Sequence, residues 1–274
     1  MENVVVMVAP NGARRSKADH PALPIRPQEI AREAARCRGA GAAAIHLHVR
    51  DGQGGHSLDP GLYREAIAAV GETSDLLVQV TTEAVGIYGP DAQMAAMDAL
   101  LPEAFSAALR ELVPDEGSRE RARDFLHAHA ERGALVQHIL YDPADVERFQ
   151  SLVAEGVIPT RGASVLFVLG RYAAGQRSHP RDLLAFLAAW RLDLPWMLCA
   201  FGPREAACLA AAAAIGGHVR VGFENNLWLP EGSLAPDNTT LVERVAGLLR
   251  GMGLAPCGPD EARRLLGGAP AAGR

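Results

Sequence analysis

Two histidines, His46 and His48, stand one residue apart near the end of an apolar stretch, 43–49. In an extended strand, side chains two residues apart point to the same side, so both imidazoles would face one spot. Neutral imidazole is the commonest neutral metal ligand, which makes the pair half of a divalent-cation site. The charged, turn-forming exit Arg50-Asp51-Gly52 predicts the C-terminal end of a strand, where the active sites of α/β folds lie. The alternative is two hydrogen-bonded polar residues at an ordinary strand end.

Glu224 is predicted to be the third metal ligand, because the C-terminal ends of barrel strands converge on one site. Two histidines and one carboxylate leave a position for water or substrate, which is typical of catalytic rather than structural zinc. The alternative for Glu224 is a helix-capping or solvent-facing carboxylate. Arg220 lies on the same face by the period of two and deeper in the barrel. A buried arginine is costly unless paired, so we expect it to pair with Glu224, to bind a substrate carboxylate, or both.

Thr81, Thr82 and Glu83 end the third predicted strand, where hydroxyls could bind a substrate carboxylate and Glu83 could move protons. An ordinary strand end with an exposed glutamate explains these residues equally well. The end of the fourth strand, from Ser106 to Arg110-Glu111, and the Gln137-His138 pair on the fifth strand are open to the same two interpretations. Arg50 could reach a substrate anion, although a solvated charge at the strand exit is the favoured interpretation. The remaining histidines singled out are interpreted as surface or core residues without a ligand role: His56, His127, His129 and His179.

Eight alternating strand and helix segments position these residues. Apolar, β-branched runs typical of buried strands occur at 4–9, 43–51, 76–82, 105–109, 135–141, 165–169, 196–201 and 218–223. Amphipathic patterns predict helices at 27–38, 60–70, 91–101, 118–132, 143–155, 180–190, 203–215 and 239–252. This order predicts one (β/α)8 TIM-barrel domain over 1–274, with a short C-terminal extension, a helix and a frayed end, from about 253.

An open doubly wound sheet is the alternative fold. It needs fewer strands and usually carries a glycine-rich phosphate turn after the first strand. The segment Asn11-Gly12-Ala13-Arg14 is not such a turn.

Composition narrows the class of protein. The 274 residues include 27 Lys and Arg against 32 Asp and Glu, for a net charge of −5, and the basic residues are scattered. This pattern argues against a nucleic-acid partner. No apolar run reaches the roughly 18 to 20 residues that cross a bilayer, and the first residues do not resemble a signal peptide, so a cytoplasmic protein without membrane contact is expected. Four scattered cysteines are interpreted as small buried hydrophobes: Cys37, Cys199, Cys208 and Cys257.

Four segments together resemble the β-keto acid cleavage enzymes, the family typified by 3-keto-5-aminohexanoate cleavage enzyme, and the likeness covers essentially the whole chain in order. The segments are 9–14 (APNGAR), 17–24 (KADHPALP), 41–51 ending in His46-Leu47-His48-Val49-Arg50-Asp51, and 217–226 (GHVRVGFENN). The resemblance implies a TIM-barrel subunit, commonly in a homotetramer. It also implies a divalent metal, usually Zn2+, held by the residues matching His46, His48 and Glu224.

The resemblance further implies that a β-keto acid and acetyl-CoA exchange to give acetoacetate and a new acyl-CoA. The metal would polarise the keto group, and the metal with Arg220 would stabilise the enolate-like charge that develops during carbon–carbon cleavage. Thr81, Thr82 and Ser106 match positions where family members place hydroxyls that contact the substrate.

Three departures from the family pattern bear on catalysis. Asn225 stands where many relatives carry an aspartate, and an amide cannot take a proton at neutral pH. Glu83-Ala84 replaces a Gly-Gly pair, and no glutamate stands near Gln137. We therefore predict that Glu83 has become the acid/base or an extra metal contact, and we place Arg220, Glu83 and Asn225 in the catalytic set. A TIM-barrel metallohydrolase and a catalytically weakened metal- or metabolite-binding barrel are the alternative functions.

Overall fold

The computed structural model describes residues 2–267. Its centre is a closed barrel of eight parallel strands in which each strand pairs with the next and the eighth pairs with the first. The predicted (β/α)8 TIM barrel is therefore confirmed. The strands are β1 Val6–Val8, β2 Ala44–His46, β3 Leu77–Thr81, β4 Ala104–Ala108, β5 Leu135–Leu140, β6 Ala163–Leu169, β7 Trp196–Ala200 and β8 His218–Val221.

Helices surround the barrel and follow the predicted segments to within a few residues. They are α1 Pro27–Ala40, α2 Pro60–Thr73, α3 Pro90–Leu100, α4 Leu109–Leu112, α5 Arg119–Glu131, α6 Pro143–Ala154, α7 Leu183–Ala189, α8 Glu205–Ala214, α9 Asn238–Gly251 and α10 Pro259–Leu266. The short α4, directly after β4, was not predicted. Across residues 2–267, no helix combines the length and the apolar character that a membrane span requires.

Local sequence signals explain where helices begin. At α2, the side chain of Asp59 accepts hydrogen bonds from the backbone N–H groups of Gly61 and Leu62, and Pro60 occupies the first helical position. The cap satisfies N–H groups that have no partner within the helix, and proline has no N–H to satisfy there. The same sequence pattern, Asp before Pro, begins α6 at Asp142.

The barrel interior is apolar towards the N-terminal ends of the strands. Met7, Leu77, Leu166 and Met197 belong to one buried cluster there, joined by Leu266 of α10. Helix α10 thus closes the end of the barrel opposite the polar side chains. It is the short helix predicted within the C-terminal extension; the frayed end predicted after it falls on 268–274, outside the described residues.

The predicted strand 43–51 is wrong in its second half, because β2 ends at His46. Leu47 makes the last barrel-type hydrogen bond, from its N–H to the oxygen of Gln79 (3.0 Å), whereas the N–H of His48 donates to the side chain of Asn11 (3.2 Å). The chain then forms a small hairpin in which Val49–Arg50 pairs antiparallel with His56–Ser57. This hairpin brings His56 back towards the two histidines.

Candidate active site

A pocket of about 260 Å³ lies at the C-terminal end of the barrel. Its wall combines both signs of charge with apolar side chains from β4 to β7. The polar lining residues include His46, Thr81, Glu83, Glu111, Arg220 and Glu224. The pocket therefore lies at the end of the barrel where the site was predicted, since these side chains come from segments at or just past the ends of different strands.

Three side chains converge beside this pocket: His46 and Glu224, which line it, and His48. The two Nε2 atoms lie 3.1 Å apart, and the Oε2 atom of Glu224 lies 3.5 Å from His46 Nε2 and 3.4 Å from His48 Nε2. One ligand atom from each side chain lies within 4.8 Å of the other two. The structure thus brings together the three residues predicted as metal ligands.

The environment of His46 prepares its Nε2 atom for a cation. Its Nδ1–H donates to Oε1 of Gln79 (2.8 Å), and the amide group of Gln79 donates in turn to Gln137 (3.3 Å). Burial lowers the pKa of His46 to about 3, so the ring is neutral at physiological pH. With the proton on Nδ1, the Nε2 lone pair faces His48 and Glu224.

The carboxylate of Glu224 has two differently used oxygens. Oε1 accepts a hydrogen bond from Nη2 of Arg220 (2.9 Å), whereas Oε2 is buried and has no hydrogen-bond partner within residues 2–267. Burial alone would raise the pKa of Glu224, but Arg220 and the two histidines outweigh burial and hold the pKa well below its usual range. An ionised, unpartnered oxygen beside two imidazole nitrogens fits a divalent cation, and the N2O donor set suits several divalent transition metals.

Arg220 is buried and paired with Glu224 as predicted, and it retains free donors. Its Nη2 also lies 3.5 Å from the sulfur of Cys199. Its Nε and Nη1 atoms are buried without a hydrogen-bond partner in the described part of the chain, and its side chain lines the pocket. Two N–H directions therefore remain for an anion in the pocket.

The hydroxyls predicted to bind substrate occupy two different places. Thr81 lines the pocket, and its Oγ1 accepts from the hydroxyl of Ser106 (3.3 Å) and from the N–H of Glu83 (3.1 Å). Thr82 and Ser106 are fully buried, and the Thr82 hydroxyl donates to the backbone oxygen of Ser106 (3.1 Å). Ser106 thus contacts Thr81 directly, and Thr82 contacts Ser106. The roles of Thr82 and Ser106 towards a substrate stay predictions.

Arg50 is not the solvated residue that the sequence favoured. It is buried, and its guanidinium donates to the backbone oxygens of Gly12 and Val49. The hairpin after His48 turns the side chain inward, under the loop that follows β1. Arg50 thus holds that loop against the histidine segment, and contact with a substrate anion stays a prediction.

Asn225 and Glu83 differ in how they are satisfied. Asn225 is buried, and neither its Oδ1 nor its Nδ2 has a hydrogen-bond partner among the described residues. Glu83 lines the pocket, with Oε2 3.7 Å from His48 Nδ1 and Oε1 3.6 Å from Nη2 of Arg171. The structure therefore places Glu83 beside a predicted ligand, while catalytic roles for Glu83 and Asn225 stay predictions.

His56 and His129 are buried, and His127 and His179 are partly buried; none of the four belongs to the cluster of three candidate ligands. His56 nevertheless lies closer to that cluster than its sequence position suggested. Its ring centroid lies 5.3 Å from that of His48, and its Nε2–H donates to the backbone oxygen of Glu83 (2.9 Å). The four cysteines are buried, as predicted.

Tyr141 and Arg171 line the pocket although neither was predicted, and Glu111, at the predicted end of the fourth strand, lines it as well. Glu111 accepts a hydrogen bond from the N–H of Ala84 (2.9 Å), and burial raises its pKa. Each of the three follows the last residue of a barrel strand by one to three positions. A systematic reading of every strand exit would have found Tyr141 and Arg171, since side chains in these positions face the same end of the barrel.

Comparisons with known proteins agree with this geometry. A family model described as beta-keto acid cleavage enzyme matches residues 3–267. The 3-keto-5-aminohexanoate cleavage enzyme of Fusobacterium nucleatum is 32% identical over 273 residues, which cover 97% of this chain and 98% of the relative. The 3,5-dioxohexanoate:acetyl-CoA acetone transferase of Paraburkholderia graminis is 27% identical over 298 residues, 96% of this chain and 95% of the relative.

A solved structure supports the fold. The apo structure of ObcA matches with a TM-score of 0.69 and 19% identity, over 90% of this chain and 66% of that chain. The family model and the 32% identical relative both extend over nearly the whole chain. The chain therefore belongs to the beta-keto acid cleavage enzyme family.

Proposed function

We propose that this protein is a metal-dependent, single-domain enzyme that condenses a β-keto acid with acetyl-CoA and releases acetoacetate and a new acyl-CoA. One observation carries the proposal. The unpartnered Oε2 of Glu224 and two histidine nitrogens converge beside Arg220, whose Nε and Nη1 are free at the pocket. A cation site next to a free guanidinium suits a substrate that carries both a keto oxygen and a carboxylate. The names of two relatives, a keto acid cleavage enzyme and an acetyl-CoA-dependent transferase, support the same class.

His46, His48 and Glu224 would hold the divalent cation; Zn2+ is proposed because the family resemblance implies it. When bound, the cation supplies Lewis-acid polarisation of the keto group. Arg220 binds the substrate carboxylate through its free donors and stabilises negative charge that develops on the enolate-like fragment. Because Arg220 is already oriented by Glu224, it can do so without reorganisation.

The reaction exchanges one carbon–carbon bond for another. C2 of the β-keto acid loses a proton and bonds to the acetyl carbon as the thioester C–S bond of acetyl-CoA breaks. The CoA sulfur then bonds to the original keto carbon as the bond from C2 to that carbon breaks, and a proton returns to C2. A proton must leave C2 and a group must hold it meanwhile. Glu83 is the proposed acceptor, because its carboxylate lines the pocket beside His48. Asn225 would serve as a hydrogen-bonding residue, since an amide cannot take the proton.

Substrate contacts are proposed for Thr81 at the pocket wall, with Thr82 and Ser106 supporting it and Arg50 holding the adjoining loop. We also propose a cytoplasmic homotetramer, which rests on the family resemblance alone. The side chain of the β-keto acid would extend towards Tyr141 and Ile139 on the far wall.

The test is metal content followed by turnover. Elemental mass spectrometry of the wild type should find one divalent metal per chain, and His48→Ala should lose it. His127→Ala, at a partly buried position on α5 outside the pocket, is the matched control and should retain it. The wild type should then form acetoacetate from acetyl-CoA with at least one member of a β-keto acid panel. Absence of metal in the wild type, even after reconstitution, would contradict the proposal.

A further inference from the structure

The two candidate histidine ligands have different partners on their outer nitrogens. His46 donates from Nδ1 to the neutral amide oxygen of Gln79 at 2.8 Å. Nδ1 of His48 is buried, and within residues 2–267 no group lies at hydrogen-bond distance from it. A buried ring nitrogen without a partner is unfavourable, so the native protein is expected to use it.

Glu83 carries the acceptor that faces this nitrogen. Its Oε2 atom lies 3.7 Å from His48 Nδ1, just beyond hydrogen-bond range. Its other carboxylate oxygen lies 3.6 Å from Nη2 of Arg171, and the guanidinium of Arg171 lies 5.3 Å from the ring centroid of Phe201. The Glu83 carboxylate therefore lies between the buried imidazole of His48 and the guanidinium of Arg171.

Both backbone polar groups of Glu83 are hydrogen-bonded to side chains. Its N–H donates to Thr81 Oγ1 (3.1 Å), and its oxygen accepts from His56 Nε2 (2.9 Å). The ring of His56 in turn packs beside that of His48 at 5.3 Å. The hairpin that carries His56 therefore ties Glu83 to the histidine whose Nδ1 it faces.

We propose that Glu83, besides its proposed role as proton acceptor, is a positioning residue that acts through His48. Its carboxylate accepts the Nδ1–H of His48, fixes the tautomer with a free Nε2 lone pair, and strengthens this imidazole as a ligand. Carboxylate partners orient metal-binding histidines and raise their basicity, which a neutral amide such as Gln79 does less. The inference rests on the metal site of the proposed function, and it accounts for an acidic residue at a position where the family resemblance predicts glycine.

The test measures metal affinity rather than turnover. Apoprotein is titrated with Co2+ in competition with a chromophoric chelator, and the visible spectrum of the bound Co2+ is recorded. Glu83→Ala should weaken Co2+ binding by roughly 10- to 100-fold and alter the spectrum, as loss of such a partner does elsewhere. Glu83→Gln, whose amide oxygen still accepts from Nδ1–H but carries no charge, should recover part of the affinity. Glu131→Gln changes an exposed carboxylate at the end of α5, outside the pocket, and should leave both readouts unchanged.

The outcomes separate the inference from the proposed function. Wild-type Co2+ binding with an unchanged constant and spectrum in Glu83→Ala would overturn the positioning role and leave the metal site intact. Equal losses in Glu83→Ala and Glu83→Gln would overturn it as well, because a direct metal contact needs the charged carboxylate. Failure of the wild type to bind Co2+ would overturn both proposals. Thermal unfolding of each variant shows whether a loss of Co2+ affinity comes from misfolding. If Glu83→Ala is misfolded, Glu83→Gln is compared with the wild type in its place.

Discussion

Two buried carboxylates, Glu224 and Glu205, lie near the turn that follows β8, and their surroundings lead to opposite protonation states. Glu224 faces Arg220 and two histidines, which outweigh burial and keep its pKa well below the usual range. Glu205, the first residue of α8, accepts only neutral donors: the N–H of Gly222 (3.2 Å) and the side-chain amide of Asn226 (3.3 Å). Burial raises the pKa of Glu205 to about 8. Burial therefore does not decide the charge; the partners within hydrogen-bond distance do.

The two regions use their carboxylates for different purposes. An ionised oxygen without a hydrogen-bond partner, as in Glu224, is suited to a cation in the pocket. A neutral carboxyl, as in Glu205, is suited to fix the backbone of the turn at Gly222 without introducing charge. The same substitution at the two positions should consequently give different results.

Glu224→Gln should produce the largest effect. The amide keeps an oxygen for Arg220 but removes the negative charge that the cation site requires. We expect loss of the bound metal and a fall in turnover on the order of 10²- to 10³-fold. Elemental mass spectrometry and acetoacetate formation measure the two effects. Retention of stoichiometric metal and more than a tenth of wild-type turnover would contradict the assigned role.

Gly12→Ala should produce an intermediate effect on the same region. Gly12 has a φ of +64°, and an added Cβ would lie 2.6 Å from Cγ of Glu224. The substitution should displace the Glu224 carboxylate and reduce metal affinity by about tenfold, with a stability loss of about 1–2 kcal/mol from the left-handed backbone.

Gly54→Ala is the matched control for that change. Gly54 has a φ of +84°, and an added Cβ there would meet no atom of the described chain within 4 Å. The control should show the stability loss, measured by urea unfolding, without the change in metal affinity. A similar loss of metal affinity in both variants would mean that backbone strain, rather than contact with Glu224, is responsible.

Much of this region could be predicted from sequence because it depends on two simple periods. Alternating strands and helices predict the barrel, and the period of two puts Arg220 on the inner face of β8, whereas Glu224 lies in the turn after Val221, where that period no longer applies. The convergence of strand ends then joins them to His46 and His48, which lie about 170 residues away in the chain. These inferences need only that the strands run parallel, which the alternation of strands and helices predicts.

Residues whose positions depend on loop conformation were harder to predict. Arg50 is buried, and His56 lies beside His48, because the chain leaves the barrel after His46 and returns as a hairpin. Glu111 reaches the pocket from the unpredicted helix α4. The protonation state of Glu205 also has no signature in the sequence, since it depends on burial and on donors supplied by Gly222 and Asn226. Such features follow from packing rather than from periodicity.

Glu205→Gln should produce the smallest effect on turnover. It tests the protonation state of Glu205 through the pH dependence of the free energy of unfolding. With a folded-state pKa of about 8 and an ordinary value of 4.5, the folded wild type binds more protons than the unfolded chain between these pH values. The contribution of Glu205 to stability is therefore fully present below pH 4.5 and is lost as the pH rises towards 8. The loss should amount to a few kcal/mol at most.

The difference in the free energy of unfolding between wild type and Glu205→Gln isolates the pH dependence caused by Glu205 from that of all other titrating groups. Urea unfolding at pH 5 should find the variant less stable by about 1 kcal/mol, because its amide nitrogen cannot accept from Asn226. By pH 8 the order should reverse, since glutamine has no proton to lose on unfolding. Metal content should remain at the wild-type level throughout. A pH-independent difference would mean that Glu205 is ionised in the folded protein, and that neutral donors alone can hold a buried carboxylate in its charged form beside the turn.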